Sequence, residues 1–118
     1  IARTVAARRH CTVAVTGAVD AISDGVRTVR ISNGTPLLKR VTGTGCMTSA
    51  LVGACIGTGA DPFVATAAGV TCMGIAGDIA YRKAGEKGTG SFHVALIDAL
   101  SLLDAETFAE YVKVEEVL

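Results

Sequence analysis

The residues with the clearest chemical potential lie in one short stretch, VTGTGCMTSA at residues 41–50. Gly43, Thr44 and Gly45 precede an apolar run that is typical of a helix, and Cys46 stands where the two meet. A helix that begins at a glycine turn leaves its first backbone N–H groups unpaired, and they favour a bound anion such as a phosphate. The same position favours the thiolate form of a cysteine. The stretch therefore predicts a phosphate-binding site at these four residues; a glycine turn that only lets a helix pack closely is the alternative.

Length and composition describe one small domain without an obvious polyanionic partner. The chain has 118 residues, half of them are apolar, and its formal net charge is zero. A chain of this length forms one domain with its own core. Because a neutral chain is not drawn to polyanions, we expect neither nucleic acid nor a membrane surface as a partner.

Four cysteines and one long uncharged run bear on three questions: metal binding, redox compartment and membrane insertion. The cysteines are not at metal-site spacing and no secretory signal is visible, so we expect free thiols in a reducing compartment. Cys55 and Cys72 are predicted to be small core residues. The uncharged run after Asp61 has sixteen residues and is rich in Gly, Ala and Thr. Since a membrane span needs about 20 apolar residues, we expect no membrane helix.

Strands are predicted before the phosphate-binding stretch. A β-branched run at 12–15 that stops at Thr16 predicts the first strand. Two segments, 19–23 and 26–32, predict an antiparallel hairpin around Asp24-Gly25. Polar and apolar residues alternate along the second segment, so one face of that strand is expected to contact solvent.

Helices are predicted after the glycine turn. They run from Cys46 to Thr58, from Pro62 to about Lys83 with Asp61 as N-cap, from a cap at Ser91, and from a cap at Asp104 to about Val112. In the second helix one face carries Ala65, Gly69, Met73 and Gly77. Strands followed by covering helices indicate an α/β fold. Ligands in such folds bind beyond the carboxyl ends of strands, so we expect Thr16 and the glycine turn to share one rim.

Six motifs, taken in order, resemble the hydroxyethylthiazole kinase family. They are VAVTGAVD at 13–20, DG at 24–25, NG at 33–34, VTGTGC at 41–46, GDIA at 77–80 and GTGSF at 88–92. The resemblance covers nearly the whole chain. It implies that residues 1–118 are the C-terminal portion of a single ribokinase-like kinase domain with a three-layer α/β fold. This portion would hold a short strand and hairpin followed by covering helices, and the N-terminal half would be absent from this chain.

The resemblance also implies an activity and site residues. The reaction is transfer of the ATP γ-phosphate to the hydroxyl of 4-methyl-5-(2-hydroxyethyl)thiazole in thiamine biosynthesis or salvage, with Mg²⁺, in the cytoplasm. It implies that Cys46 is catalytic, that Thr16 binds ATP and that Gly43 contacts the thiazole. The amides of residues 43–46 would hold the transferring phosphoryl group. Related kinases carry Asp in place of this cysteine, so Cys46 either accepts the hydroxyl proton as thiolate or only positions the substrate.

Further groups are implied to come from outside this chain. In the family, the Mg²⁺ ligands and an ATP-contacting arginine lie in the N-terminal half, so no metal ligand is assigned to this chain and we expect it to be inactive alone. The resemblance implies a homotrimer with active sites between subunits. Two alternatives stay open: another ribokinase-like small-alcohol kinase or nucleotide-binding relative, and a non-catalytic fragment that needs its N-terminal half.

Overall fold

One antiparallel sheet and five α-helices make up residues 1–117, the part of the chain that the computed structural model describes. The strands lie side by side in chain order as β1 Val13–Val15, β2 Asp20–Ser23, β3 Thr28–Ile31 and β4 Val114–Glu116. The helices are α1 Ala2–Arg9, α2 Thr44–Gly57, α3 Pro62–Ala84, α4 Thr89–Leu102 and α5 Ala105–Tyr111, and a 3₁₀ helix spans Pro36–Arg40. The expected α/β class, with a strand and hairpin followed by helices, is confirmed.

The predicted hairpin is present, but its turn is longer than expected. Ser23 pairs with Thr28, so the turn has the four residues 24–27 instead of Asp24-Gly25 alone. The longer turn closes because Asp24 Oδ1 accepts hydrogen bonds from the N–H groups of Val26 at 2.9 Å and of Arg27 at 2.7 Å. These backbone bonds lower the pKa of Asp24 to about 2, since they stabilise the carboxylate form.

Two of the three predicted helix caps are confirmed. The Asp61 carboxylate accepts a hydrogen bond from the N–H of Val64 at 3.2 Å, and the Asp104 carboxylate accepts one from Thr107 at 2.8 Å. The prediction that Ser91 caps α4 is wrong. Ser91 lies inside this helix, which begins at Thr89 after Gly88. Gly88 has φ 104°, a backbone conformation that glycine adopts without strain, so the glycine turn fixes the helix start.

The core surrounds α3, which packs against α2, α4 and the sheet. One apolar cluster joins α3 to α4 and has as its most buried members Met73, Ala76, Ala80, Phe92 and Leu96. A second cluster joins α3 to the sheet and contains Ile22, Val29, Ile31, Phe63 and Val70. By length and composition α3 could also cross a membrane, but 67% of its most apolar window is buried inside the chain, as in a core helix.

Glycines on α3 allow unusually close contacts, and the predicted small-residue face is buried at all four of its positions. A Cβ added at Gly69 would lie 2.8 Å from the Val52 backbone on α2. One added at Gly74 would lie 2.7 Å from the carbonyl oxygen of Asn33, just after β3. Any larger residue must displace backbone at these two points, so the glycines set the spacing between α3 and its neighbours.

The cysteines lie nearer the surface than predicted. Cys55 and Cys72 are half-buried instead of lying in the core, and all four cysteines of the chain are free. Partial burial raises the pKa of the Cys72 thiol, with a smaller contribution from Cys55. The Cys72 thiol is therefore neutral near pH 7 and behaves as a small, weakly polar packing group.

One side of the molecule is poorly covered within the described residues. Strand β1 pairs with β2 along one edge only, and both Ala14 and Val15 are exposed. Helix α2 carries no charged residue and none of its residues is fully buried. This side therefore presents an open strand edge next to an apolar helix.

Candidate functional site

A cleft of about 680 Å³ opens between the turn after β1, the segment after β3 and the start of α2. Thr16 and Gly17 line it on the β1 side, and Thr44 and Gly45 line it on the α2 side. Helix α3 contributes Thr66, Val70, Met73 and Gly74. The structure thus brings Thr16 and part of the glycine turn to one cleft.

The start of α2 presents unpaired amides. The helix begins at Thr44, two residues before the predicted start at Cys46, and Gly43 is its N-cap with φ 94°. No side chain caps it, and its first hydrogen bond runs from the Met47 N–H to the Gly43 carbonyl at 2.9 Å. Within residues 1–117, the N–H groups of Thr44, Gly45 and Cys46 therefore have no partner. Together with the positive end of the helix dipole, they form an arrangement that binds anions well.

Threonine hydroxyls around the turn are already engaged. Thr44 Oγ1 donates to the Leu38 carbonyl at 2.8 Å, which ties the start of α2 to the 3₁₀ helix. Thr48 Oγ1 donates to the Thr44 carbonyl one turn back, also at 2.8 Å. Because both hydroxyl protons point to protein carbonyls, the amides and not these hydroxyls are the donors available to a ligand at this end of the cleft.

The turn after β1 is closed by a buried carboxylate. The Gly17 N–H donates to Asp20 Oδ1 at 2.9 Å, and Asp20 is only 9% exposed. Burial raises the pKa of Asp20, and the bond from Gly17 opposes part of that rise. Thr16 itself is exposed at the carboxyl end of β1, so its hydroxyl is accessible from the cleft.

A hydrogen-bond network fixes the wall of the cleft after β3. The Asn33 side-chain amide donates to Asp78 Oδ2 at 3.1 Å and to the Tyr111 carbonyl at 2.7 Å, and its oxygen accepts from the Lys113 N–H at 2.7 Å. The Gly34 N–H donates to Asp78 Oδ1 at 3.1 Å. Every side-chain hydrogen-bonding group of Asn33 is thus satisfied, and this holds the segment in place between the cleft and a second cavity of about 720 Å³.

Comparison with known proteins gives the family. The sequence model of the hydroxyethylthiazole kinase family matches residues 1–106. The chain belongs to the hydroxyethylthiazole kinase family.

Its relatives in this family are similar over nearly the whole chain. A hydroxyethylthiazole kinase of Ruminiclostridium cellulolyticum is 54% identical over 99% of this chain, which covers 43% of that relative. A hydroxyethylthiazole kinase of Clostridium beijerinckii is 51% identical, and the chain covers 42% of it. The solved structure of the hydroxyethylthiazole kinase protein of Pyrococcus horikoshii OT3 has a TM-score of 0.93 and 45% identity, with 99% of this chain and 45% of that chain covered. The chain therefore spans less than half the length of these relatives, and the predicted family is confirmed.

The structure separates the four residues that the family resemblance placed at the anion site. Thr44 and Gly45 line the cleft, whereas Gly43 and Cys46 do not. Both of these are exposed at the start of α2, beside the cleft. An added Cβ at Gly43 would meet no atom of residues 1–117 within 4 Å, so space is open there. The start of α2 thus has one side toward the cleft and another toward solvent.

Metal ligands are not assembled by this part of the chain. Among residues 1–117, no three His, Cys, Asp or Glu side chains come together as a metal site needs. Asp20 is a single carboxylate, and one of its oxygens already accepts the Gly17 bond. The described residues therefore offer no metal site built from protein side chains alone.

Three lining residues were not predicted from the sequence as parts of a site. Asp20 and Asn33 shape the cleft through hydrogen bonds, and Lys39 brings a cation to its lining. The sequence signal for Asp20 is a carboxylate at the start of a predicted strand, four residues after Thr16. Asn33 shows its role only through partners more than forty residues away, which spacing along the chain does not reveal.

Proposed function

We propose that this chain is the C-terminal portion of a single ribokinase-like kinase domain. The complete enzyme transfers the γ-phosphate of ATP to the hydroxyl of 4-methyl-5-(2-hydroxyethyl)thiazole, in the cytoplasm. The observation that carries the proposal is the shared cleft, in which the turn at Thr16 faces the unpaired amides at the start of α2. The names of the relatives, hydroxyethylthiazole kinase, support the choice of acceptor.

In this proposal the cleft holds the nucleotide. Its volume of about 680 Å³ lies within the range of about 300–1,000 Å³ usual for small-molecule sites. The amides of Thr44, Gly45 and Cys46 hold phosphate oxygens, because they are unpaired and lie at the positive end of α2. The Thr16 hydroxyl donates to ATP from across the cleft. Lys39, which also lines the cleft, adds positive charge near the nucleotide.

The acceptor alcohol approaches from the exposed side of the α2 start. Gly43 contacts the thiazole there, which the open space around its Cα permits. The hydroxyl oxygen attacks the γ-phosphorus, the bond from the γ-phosphorus to the bridging oxygen breaks, and ADP leaves. Cys46 is the catalytic residue beside this hydroxyl: as thiolate it accepts the hydroxyl proton, and as thiol it positions the hydroxyl while the proton leaves to solvent. Its exposure beside the unpaired amides supports both roles.

The remaining contributions come from outside residues 1–117. The family resemblance places the carboxylates that would hold Mg²⁺ in the N-terminal half of the domain, and the ion, when bound, would neutralise part of the charge on the phosphates. The open edge of β1 and the uncharged helix α2 support contact with that half and with other subunits of a homotrimer.

The test joins residues 1–118 to the N-terminal segment of the Ruminiclostridium cellulolyticum relative, and we call the product the joined enzyme. With ATP, Mg²⁺ and the hydroxyethylthiazole, it is expected to yield phosphorylated thiazole and an equal amount of ADP, measured by mass spectrometry. Residues 1–118 alone are expected to give no product. Phosphorylation of a different alcohol from a panel, with none of the thiazole, would favour another small-alcohol kinase. No product from any alcohol would favour a non-catalytic chain.

A further inference from the structure

Asp20 occupies an unusual place for a carboxylate. It begins β2, pairs in register with Ile31 of β3 and is 9% exposed, so its backbone is held by the sheet. From this fixed point its Oδ1 reaches back to accept the Gly17 N–H at 2.9 Å. Donor and acceptor are only three positions apart in the sequence, and the bond closes the turn that carries Thr16 into the cleft.

The turn has few other restraints among the described residues. Thr16, Gly17, Ala18 and Val19 are all exposed. Strand β1 ends at Val15, so Thr16 lies beyond the last residue paired with β2. The bond between the Gly17 N–H and Asp20 is therefore the contact that links the exposed turn to the buried sheet.

We propose that Asp20 is a positioning residue that holds the Thr16 hydroxyl at the nucleotide cleft by closing the turn at Gly17. The inference rests on the proposed contact between Thr16 and ATP. Closure of the turn requires an acceptor oxygen, but it does not require that the acceptor carry a charge. Burial works against the charge, as the raised pKa of Asp20 indicates, so a neutral amide of the same shape can replace the carboxylate.

The experiment compares two variants of similar shape in the joined enzyme. Asp20→Asn keeps an oxygen for the Gly17 N–H, whereas Asp20→Leu has the same branching and no acceptor. Asp20→Leu is expected to raise KM for ATP about five- to tenfold, the factor that one lost hydrogen bond produces, with KM for the thiazole within about twofold of the unchanged enzyme. Asp20→Asn is expected to restore KM for ATP to near the unchanged value. Faster hydrogen exchange of the Gly17 amide, measured by NMR, is expected in Asp20→Leu only.

A double variant shows whether Asp20 acts through Thr16. Thr16→Val alone is expected to raise KM for ATP. Adding Asp20→Leu is expected to raise it no further, because the Thr16 hydroxyl that Asp20 would position is already absent. Additive effects, or an equal loss in Asp20→Asn and Asp20→Leu, would overturn the inference. If Thr16→Val leaves KM for ATP unchanged, the proposed ATP contact of Thr16 fails and this inference fails with it. If Thr16→Val raises KM and Asp20→Leu does not, only the role of Asp20 is refuted. Should Asp20→Leu not fold, unchanged KM and unchanged Gly17 exchange in Asp20→Ala, which also lacks an acceptor, would equally refute it.

Discussion

Gly74→Ala is expected to damage both stability and ATP affinity. The added Cβ would lie 2.7 Å from Asn33 Cβ and from the Asn33 carbonyl oxygen, and the backbone cannot rotate away as a side-chain tip can. Overpacking costs about 1–3 kcal/mol, and backbone contact places this site at the upper end, about 3 kcal/mol. Alanine in a helix interior recovers about 1 kcal/mol over glycine, which leaves a net loss of about 2 kcal/mol in the free energy of unfolding.

Gly77→Ala is the matched control on the same helix. Its Cβ would lie 3.0 Å from Leu38 Cδ1, the end of a flexible side chain that can shift. A cost of about 1 kcal/mol and the helix gain of about 1 kcal/mol then nearly cancel. Urea unfolding of the joined enzyme at pH 7 measures both variants. Asn33 and Leu38 both line the cleft, but KM for ATP is expected to rise more in Gly74→Ala, because that variant displaces the Asn33 backbone whereas Gly77→Ala displaces only a side-chain tip. Unfolding free energies that agree within about 0.5 kcal/mol for the two variants would refute this account of the close contact.

Three further predictions concern the proposed catalytic role of Cys46, the proposed ATP contact of Thr16 and acid stability. Cys46→Ala is expected to lower kcat of the joined enzyme about 10²–10⁴-fold, and Cys46→Asp is expected to retain activity; a wild-type kcat in the alanine variant would contradict the catalytic role. Thr16→Val is expected to raise KM for ATP and not for the thiazole, and an equal rise for both would count against it. The pKa of Asp24 is about 2 in the fold and ordinarily 3.8, so its contribution to stability is present above about pH 4 and is lost as the pH falls toward 2. In Asp24→Asn, the free energy of unfolding measured with urea is expected to change less between pH 4 and pH 2 than in the unchanged protein. An equal pH dependence in the two proteins would exclude this role of Asp24.

Local signals explain the parts of the fold that the sequence predicts well. Asp61 and Asp104 cap helices because a short acidic side chain bonds the amide three residues on, a contact wholly contained in the local chain. Alternation also places Val29 and Ile31 inside and Arg30 outside. Ser91 misled the prediction because serine is a common N-cap, whereas the φ of 104° at Gly88 fixes the true helix start.

Long-range contacts account for what the sequence does not predict. Strand β4 was missed because its short sequence is charged and exposed, and it becomes a strand only by pairing with β3, where Arg30 lies opposite Glu115. For the candidate site, the chain pattern predicts the glycine turn and the rim at Thr16. The pattern does not predict that Gly45 lines the cleft while Cys46 lies beside it, because the direction in which each residue points depends on where α2 begins.

The most direct test of the central claim is a crystal structure of the joined enzyme with a non-hydrolysable ATP analogue and Mg²⁺. The account predicts phosphate oxygens about 3 Å from the amide nitrogens of Thr44 and Gly45, with the Thr16 hydroxyl also within hydrogen-bond distance of the nucleotide. A nucleotide bound elsewhere, with those amides facing only water, would contradict it.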